Sequence, residues 1–494
     1  MGDAMRRVVS VLASATLAVG LLFSGAYSGI SVDLRKAAAQ TVPARPNIVF
    51  ILTDDMRKDD LSYMPQTRAL LKGEGMSFEN AFVSHALCAP SRATIMRGQY
   101  AHNAGVWSNS ATDSPSTSTG GWQAYQARGN EADNVATRLD DAGYRTALFG
   151  KYMNRYAGTT YVPPGWDRWF AVATSGEPQY FGYDVVSEDQ TISHYGTNEA
   201  DYTTDVLSNE AGEFMRNSAL QGQPFFAYVA PIAPHSPATP APRDEHAYDG
   251  VTGPRFSSFD EGLVDDKPSW IRQLPRLTAD RVTEIDNRHE RRVESLQAVD
   301  DLVQNVVLTL DDAGELDNTY IFFTSDNGFH HGEHRIPMQK WRPYEEDVNV
   351  PLLVRGPDVA PGSTTYKMAL NTDYLPTFTR LAGAQTPAYV DGRSLRPVLR
   401  NTVTSWRSAV LLEAAAEYSP PYRGVRTVNA GGVPKRKYVE YSGGEKELYE
   451  LGSDPRELAN RYSSSYPAAT ALAARLQKLK GCARDTCFTF ENGP

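Results

Sequence analysis

The stretch that decides the fold is "RPNIVFILTDD", Arg45 to Asp55. Its apolar run, Ile48 to Leu52, is unbroken and is followed by the carboxylates of Asp54 and Asp55. An apolar run of this length predicts a strand that is buried on both faces, as in a mainly parallel sheet. Ligands of such sheets bind beyond the carboxyl ends of the strands. We therefore expect the two aspartates to belong to a functional site.

Other parts of the chain repeat this strand pattern. A helical pattern over Glu294 to Gly314 precedes one of the further apolar runs and ends at a glycine. Alternating strands and helices predict an α/β sandwich, with helices around a mainly parallel sheet. The further predicted core strands are Arg145 to Phe149, Phe225 to Val229, Thr319 to Thr324 and Val350 to Val354.

The last part of the chain has a different pattern. From about Ser405, short strands separated by turns are predicted in "SAVLLEAAA", "YRGVRTV", "RKYVEYS" and "KELYEL", and a helix is predicted from about Tyr466 to Lys480. We expect a small antiparallel sheet packed by one helix. The chain is thus divided into a leader, 1–39, a large domain, 40–404, and a C-terminal subdomain, 405–494.

Charge and the first residues indicate where the protein works. A formal net charge of −10 argues against nucleic acid as a partner, because phosphate neutralisation needs clustered lysine and arginine. Arg6 and Arg7 precede an uncharged apolar run from Val8, and small residues follow up to Ala39. This pattern is typical of a secretory signal, with an uncleaved membrane anchor as the alternative. We expect a secreted, cell-surface or periplasmic protein.

The three cysteines divide into a pair and a single residue. Cys482 and Cys487 lie close together near the end, and in an exported chain they most simply form a short disulfide. Cys88 is left over, in "HALCAPSRATIMRG", His85 to Gly98. At a helix start, with Arg92 one turn on, its thiol is expected to have a low pKa and to act as a nucleophile or redox sensor. Burial for packing is the alternative.

Two predicted strand ends carry oxygen ligands. Asp54 and Asp55 follow the first strand, and Asp326 and Asn327 follow the strand that ends at Thr324. Either pair alone is better explained by turns and helix caps. A hard cation such as Ca²⁺ or Mg²⁺ takes six or more oxygen ligands. The two pairs together therefore predict a metal site.

The Cys88 segment resembles the type I sulfatases. "CAPSRATIMRG" matches their C-x-P-S-R-x5-G signature, and the resemblance extends over most of the chain, through "LTDD", "GKY", "APHSP", "TSDNG", "VNVPLLVRGP" and "ELYELGSDPREL". It implies an alkaline-phosphatase-like α/β/α sandwich whose large domain hydrolyses sulfate esters. It also implies that a separate formylglycine-generating enzyme oxidises Cys88 to formylglycine (3-oxoalanine), whose hydrate is the nucleophile.

The resemblance further implies roles for single residues. Arg92 would hold the formylglycine hydrate, Lys151 and Lys340 would neutralise sulfate oxygens, and His235 would protonate the departing alcohol. The ligands of one Ca²⁺, with Mg²⁺ as the alternative, would be Asp54, Asp55, the modified Cys88, Asp326 and Asn327.

Simpler explanations exist for some of these side chains. Without the motif, Lys151 and Lys340 would be explained as surface lysines, and His235 as a turn residue in a proline-rich loop. Four further histidines either line the pocket or are solvated, and their roles stay open: His102, His330, His331 and His334.

One departure from the arylsulfatase pattern bears on the substrate. Many arylsulfatases carry a histidine where this chain has Met153, whereas "GKYMNRYAGTTYVPPGW", 150–166, is similar to the glucosamine-6-sulfatases and the extracellular heparan 6-O-sulfatases. Aromatic residues in this stretch are expected to line a sugar-sized pocket. We expect a small saccharide with a 6-O-sulfated glucosamine. The alternatives are a general arylsulfatase acting on aryl sulfates, a phosphodiester or phosphonate monoester hydrolase, and an inactive carbohydrate-binding protein with unmodified Cys88.

Overall fold

The described part of the chain forms a ten-stranded sheet, a two-stranded sheet and a four-stranded sheet. The computed structural model describes residues 45–493 except 111–119, 174–177, 416–419 and 430–431. The predicted leader, 1–39, lies outside the described residues. The strands are β1 (Asn47–Thr53), β2 (Met76–Phe78), β3 (Ala81–Phe82), β4 (Arg145–Gly150), β5 (Arg168–Val172), β6 (Tyr183–Ser187), β7 (Ile192–Tyr195), β8 (Phe225–Ala230), β9 (Thr319–Ser325), β10 (Leu352–Arg355), β11 (Ser363–Thr365), β12 (Ala369–Leu370), β13 (Ala409–Ala414), β14 (Tyr422–Thr427), β15 (Lys437–Tyr441) and β16 (Lys446–Tyr449).

The large sheet is parallel at its centre. Its strand order is β11-β2-β10-β9-β1-β8-β4-β5-β6-β7, and the central strands β9, β1, β8, β4 and β5 are parallel to one another. On either side, β10 and β6 pair antiparallel with the central block. The prediction of a mainly parallel sheet is therefore right for the centre. The strand predicted to begin at Val350 pairs with its neighbours in the sheet only from Leu352 onward. Pro351 lies between these two residues and has no N–H to donate to a neighbouring strand.

Apolar residues of β1 enter two separate cores. Ile48, Phe50 and Leu52 pack into the cluster on one face of the sheet, and Val49 and Ile51 pack into the cluster on the other. This explains why the run is unbroken, since both faces are covered.

Helices cover the sheet. They are α1 (Pro65–Thr67), α2 (Cys88–Arg97), α3 (Ala101–Ala104), α4 (Gly121–Ala127), α5 (Val135–Asp141), α6 (Thr203–Leu220), α7 (Ser269–Arg272), α8 (Ala279–Asp312), α9 (Glu345–Val348), α10 (Tyr374–Ala382), α11 (Arg396–Leu399), α12 (Pro467–Leu479) and α13 (Asp485–Asn492). Helix α8 begins 15 residues before the predicted Glu294. Its first half is mostly polar, so the helical period of apolar residues is not visible there. Thr278 caps the helix by accepting a hydrogen bond from the Arg281 N–H at 3.2 Å.

The C-terminal part matches its prediction. Strands β13 to β16 form an antiparallel sheet in sequence order, α12 packs against it, and Cys482 and Cys487 form the predicted disulfide. The described residues fall in one compact unit, so the limits 40–404 and 405–494 stay a prediction. Within the described ranges, no helix combines the length and the apolar character needed to cross a membrane.

Candidate active site

The carboxyl ends of β1 and β9 form the floor of the site. Thr53 and Ser325 are partners in the parallel register of these neighbouring strands, so the residues that follow each strand emerge side by side. The Asp55 N–H donates to Asp326 Oδ1 at 3.1 Å, and Asn327 Nδ2 donates to Asp55 Oδ1 at 2.8 Å. The structure thus brings together both predicted pairs of oxygen ligands, and all of them are buried.

Cys88 begins α2 directly above this floor. Its Sγ lies 3.4 Å from Asp54 Oδ1 and 3.9 Å from Asp55 Oδ1. Helix α2 ends at Arg97 and is followed by Gly98, whose φ of 63° favours glycine. The helix therefore starts where the sequence pattern predicts, and its first residue faces the carboxylates.

The expectation of a low pKa for Cys88 is wrong. Burial, reinforced by Asp54 and opposed by Lys151 and Lys340, raises the pKa of the thiol to about 12. Arg92, expected to favour a thiolate, donates instead to Asp326. The unmodified thiol is therefore neutral near pH 7, which argues against a thiolate nucleophile or a sensor that depends on one.

Three buried cations surround the thiol. Arg92 donates from Nε to Asp326 Oδ2 at 2.9 Å and from Nη1 to the Lys151 carbonyl at 2.7 Å. Lys151 Nζ forms an ion pair with Asp54. Lys340 Nζ forms an ion pair with Asp55 and lies 2.8 Å from Cys88 Sγ.

Neither lysine is a surface residue, since Lys151 is 0% and Lys340 is 6% exposed. Burial alone raises the pKa of Asp54, but Lys151, His235 and Arg92 together hold it well below its usual value. Burial, reinforced by Asp54, raises the pKa of Asp326 to about 6.

His235 lies at the mouth of the site. Its side chain is 16% exposed, whereas those of Asp54 and Arg92 are fully buried. Nδ1 donates to the Ser236 carbonyl at 2.8 Å, which leaves Nε2 facing Asp55 Oδ2 at 3.6 Å. Burial lowers the pKa of His235 against the effect of Asp55 and Asp54. The ring is therefore held in one orientation, and it is more than a turn residue.

The donor set fits a hard divalent cation. Ligand atoms of Asp54, Asp55, Cys88 and His235 lie within 4.8 Å of one another. Asn327 Oδ1 is buried there and has no hydrogen-bond partner among the described residues. Because most of these donors are oxygens, Ca²⁺ or Mg²⁺ fits them better than a softer metal.

The remaining predicted histidines are buried or half-buried, so none of them is simply solvated. His330 Nδ1 lies 2.7 Å from Asp347 Oδ1, and His334 Nδ1 lies 2.6 Å from Glu261 Oε2. His331 packs edge-on against the rings of His289 and Phe329. His102 contacts Glu413 of the C-terminal sheet. The described hydrogen bonds and ring contacts of these histidines support the fold around the site.

The aromatic residues of 150–166 do not line a pocket as expected. Tyr156 and Trp166 belong to the core, and Tyr156 packs on Trp169 with ring centroids 5.6 Å apart. Tyr161 donates its hydroxyl to Glu131. An apolar core explains Tyr156 and Trp166, whereas Tyr161 is 37% exposed and lies outside it.

Sequence reasoning missed three supporting residues. Arg292 on α8 donates from Nη2 to the Asp55 carbonyl at 2.6 Å. Asn109 accepts from the Ala89 N–H at 2.9 Å, and Asn371 donates to Ser91 Oγ at 3.0 Å. Arg292 lies just before the predicted start of its helix, and nothing in the sequence marks the two asparagines.

Comparisons with known proteins agree with this geometry. A profile of the sulfatase family matches residues 46–384, and one described as N-sulphoglucosamine sulphohydrolase, C-terminal, matches residues 332–482. The chain is 34% identical over 488 residues to an N-acetylglucosamine-6-sulfatase of Homo sapiens, covering 90% of this chain and 86% of that protein. It is 37% identical over 388 residues to an extracellular sulfatase SULF-1 homolog of Drosophila melanogaster, covering 75% of this chain and 33% of that protein.

A solved structure of a protein in complex with its substrate, D-glucosamine-2-N,6-O-disulfate, has a TM-score of 0.74 and 24% identity, covering 91% of this chain and 99% of that chain. This likeness confirms the predicted fold class, the alkaline-phosphatase-like α/β/α sandwich.

Proposed function

The chain belongs to the sulfatase family and is a sulfuric ester hydrolase, and from that premise we propose that it removes the 6-O-sulfate of glucosamine-type sugars. The observation that carries the proposal is the convergence of three buried cations and three buried carboxylates on Cys88. Such preorganised charge in a water-poor site stabilises a sulfate ester whose charge shifts during cleavage.

The proposal includes the chemistry that the family resemblance implies. Cys88 is the precursor of formylglycine, made by a formylglycine-generating enzyme, and the metal is Ca²⁺, with Mg²⁺ as the alternative. Formylglycine supplies a hydrated aldehyde as the nucleophile, and the cation supplies charge that acidifies a hydroxyl and polarises the sulfate. The proposed ligands are Asp54, Asp55, the modified Cys88, Asp326 and Asn327.

The positions of the side chains around Cys88 support the proposed roles. Arg92, held between Asp326 and the Lys151 carbonyl, orients the side chain at position 88. Lys151 and Lys340 neutralise the sulfate oxygens. His235, as an imidazolium, protonates the departing alcohol through Nε2, because its Nδ1 donates to the Ser236 carbonyl.

The substrate class rests on the relatives. The human relative is named an N-acetylglucosamine-6-sulfatase, and it matches across 90% of this chain. The Drosophila relative is named an extracellular sulfatase, which supports a secreted, cell-surface or periplasmic location, as the leader pattern also does.

Two measurements test the proposal. The mass of the Cys88 peptide from the native host is expected to show the aldehyde in place of the thiol, and only unmodified Cys88 would overturn the mechanism. Matured enzyme is expected to hydrolyse N-acetylglucosamine 6-sulfate with a higher kcat/KM than an aryl sulfate. Negligible activity on any 6-sulfated amino sugar would make it a general arylsulfatase, and a preference for phosphodiesters would move it to another activity.

A further inference from the structure

One guanidinium contacts the segments that follow three strands of the large sheet. Arg292 lies on α8 and is 1% exposed. Its Nη2 donates to the Asp55 carbonyl at 2.6 Å, and its Nη1 donates to the Pro234 carbonyl at 3.1 Å. The guanidinium also lies over the Phe329 ring, 4.8 Å from the centroid. These contacts fall on the segments after β1, β8 and β9, so a single side chain joins three strand ends.

Two of these contacts lie directly beside proposed functional groups. Asp55 is a proposed metal ligand, and Pro234 immediately precedes His235, the proposed acid. A peptide unit is planar and rigid, so a fixed Pro234 carbonyl also fixes the backbone N–H of His235. Across the gap that Arg292 spans, His235 Nε2 and Asp55 Oδ2 are 3.6 Å apart. Arg292 therefore bears on the distance between the acid and the floor of the site.

The charge of Arg292 is balanced within the chain. Its Nη2 lies 3.2 Å from Asp60 Oδ2, and Asp60 is fully buried. The same carboxylate oxygen accepts from the backbone N–H of Arg57 at 3.1 Å, which fixes it to the segment that follows β1. Because its charge is paired and two of its nitrogens bind carbonyls, the guanidinium is suited to hold backbone rather than to bind a sulfate.

The two sides of this connection differ in their other supports. The Asp55 N–H donates to Asp326 Oδ1 at 3.1 Å, and its side chain accepts from Asn327 Nδ2 at 2.8 Å. The His235 N–H bonds within its own loop, and the His235 carbonyl accepts from the Tyr180 hydroxyl at 2.7 Å. Asp55 is thus tied to the neighbouring strand end, whereas His235 lies in a loop. Loss of the guanidinium is therefore expected to displace His235 more than Asp55.

We propose that Arg292 is a positioning residue that holds His235 where it can protonate the departing alcohol. This inference rests on the proposed function, in which His235 is the acid. A proton donor must lie within hydrogen-bond reach of the leaving oxygen, and a displacement of about 1 Å costs about 100-fold in rate. Arg292 contributes to the reaction through the backbone on either side of the gap.

The dependence of the rate on the leaving group tests this role. An alcohol leaves a sulfate ester readily only with a proton, whereas a nitrophenolate leaves as a stable anion. Poor positioning of the acid therefore lowers kcat/KM for N-acetylglucosamine 6-sulfate more than for nitrophenyl sulfate. For matured Arg292→Met, we expect the ratio of these two kcat/KM values to fall roughly 10- to 100-fold. An unchanged ratio would overturn the positioning role, even if both activities fell together.

Arg407→Met is the matched control. Arg407 is likewise 1% exposed, and it binds the carboxylates of Asp373 and Glu491. The same substitution removes a buried guanidinium of the same size, so a loss of stability is expected with the wild-type ratio retained. An equal fall of the ratio in both variants would show that it reports a loosened fold, and would overturn the inference.

The conservative variant Arg292→Lys keeps a positive charge beside Asp60. A single ammonium lacks the fork with which the two Nη atoms reach two carbonyls. The ratio is therefore expected to lie between those of wild type and Arg292→Met, and this variant serves if the methionine variant does not fold. A wild-type ratio in Arg292→Lys would overturn the claim that both carbonyl contacts are needed.

A crystal structure of Arg292→Met gives a readout that does not depend on activity. The distance from His235 Nε2 to Asp55 Oδ2, 3.6 Å in wild type, is expected to lengthen by about 1 Å. The same distance is expected to be kept in Arg407→Met. An unchanged distance in Arg292→Met would overturn the positioning role.

His235→Ala separates this inference from the proposed function. It removes the acid itself, so it is expected to lower the ratio at least as much as Arg292→Met does. An unchanged ratio in His235→Ala would overturn His235 as the acid in the proposed function. A lowered ratio in His235→Ala with an unchanged ratio in Arg292→Met would overturn only the role of Arg292.

Discussion

Two clusters of buried charge in this molecule consist of the same types of side chain, carboxylates and cations, but differ in their role. The strand-end cluster consists of Asp54, Asp55, Asp326, Arg92, Lys151 and Lys340. The Arg407 cluster consists of Asp373, Glu491, Arg393, Arg407 and Tyr100, and it ties α13 to the large domain. Both balance their formal charges, so burial of charge alone does not identify a site.

The difference lies in how the partners are arranged. Arg407 binds both oxygens of Asp373, at 2.9 and 2.6 Å, in a bidentate pair. In the strand-end cluster, single amines reach single carboxylates around Cys88, and among the described residues Asn327 Oδ1 has no hydrogen-bond partner. A site is therefore marked by convergence on one reactive side chain.

The largest effect is expected from Cys88→Ser. Serine lacks the thiol that the implied formylglycine-generating enzyme oxidises, so activity is expected to fall by about 10⁶-fold, as when a nucleophile is removed. The melting temperature is expected to stay near that of wild type, because the hydroxyl replaces a neutral buried thiol. Initial rates and thermal unfolding check this. Substantial activity in this variant would show that residue 88 is not the nucleophile.

Asp326→Asn is expected to have the next largest effect. It keeps the shape of the side chain but removes its negative charge. That charge holds Arg92 Nε at 2.9 Å, and we propose that it also binds the cation. We expect kcat to fall roughly 10²- to 10³-fold. The matched control is Asp373→Asn, the same change in the Arg407 cluster, for which activity per folded molecule is expected to be retained. Equal losses in the two variants would erase the distinction between the clusters.

The sequence predicts the first cluster better than the second. The unbroken run before Asp54, the similar run before Asp326 and the motif at Cys88 lie in short segments, and a parallel sheet aligns their ends. Arg407 and its partner Glu491 lie far apart in segments without any motif, so only the tertiary structure joins them.

The surroundings of a side chain are harder to predict from the sequence than its position in the fold. The pKa of Cys88 depends on complete burial and on Asp54, which comes from another element, and no local pattern contains either fact. The aromatic residues of 150–166 were expected in a pocket, but packing places Tyr156 and Trp166 in the core.

Arg407→Met is expected to affect stability rather than chemistry. Removing one partner of a buried ion pair leaves Asp373 and Glu491 without their shared cation, which costs about 3–5 kcal/mol. Denaturant unfolding checks this free energy. Removal of one partner of a structural ion pair acts on stability, so activity per folded molecule is expected to stay within about threefold of wild type. A large loss of kcat in fully folded protein would show that this cluster also supports the site.

The smallest effect concerns the contact of His102 with the C-terminal sheet. Its Nδ1 donates to Glu413 Oε2 at 3.0 Å and its Nε2 donates to the Cys482 carbonyl at 2.8 Å. Burial lowers the pKa of His102, but the bonds to Glu413 and Cys482 raise it above its usual value. Burial raises the pKa of Glu413, but His102 helps to hold it below its usual value.

A raised histidine pKa stabilises the fold below the ordinary histidine pKa, and this stability is lost as the pH rises through the folded value. A lowered glutamate pKa acts above the ordinary glutamate pKa, so the contact is strongest between about pH 4.5 and 6.5. His102→Gln is therefore expected to cost about 1 kcal/mol at pH 5.5 and less at pH 8.5, measured by denaturant unfolding. The control is His194→Gln, since the His194–Asp184 pair is exposed and contributes little. A cost for His102→Gln that does not change with pH would show that the contact acts through packing, as an uncharged core residue does.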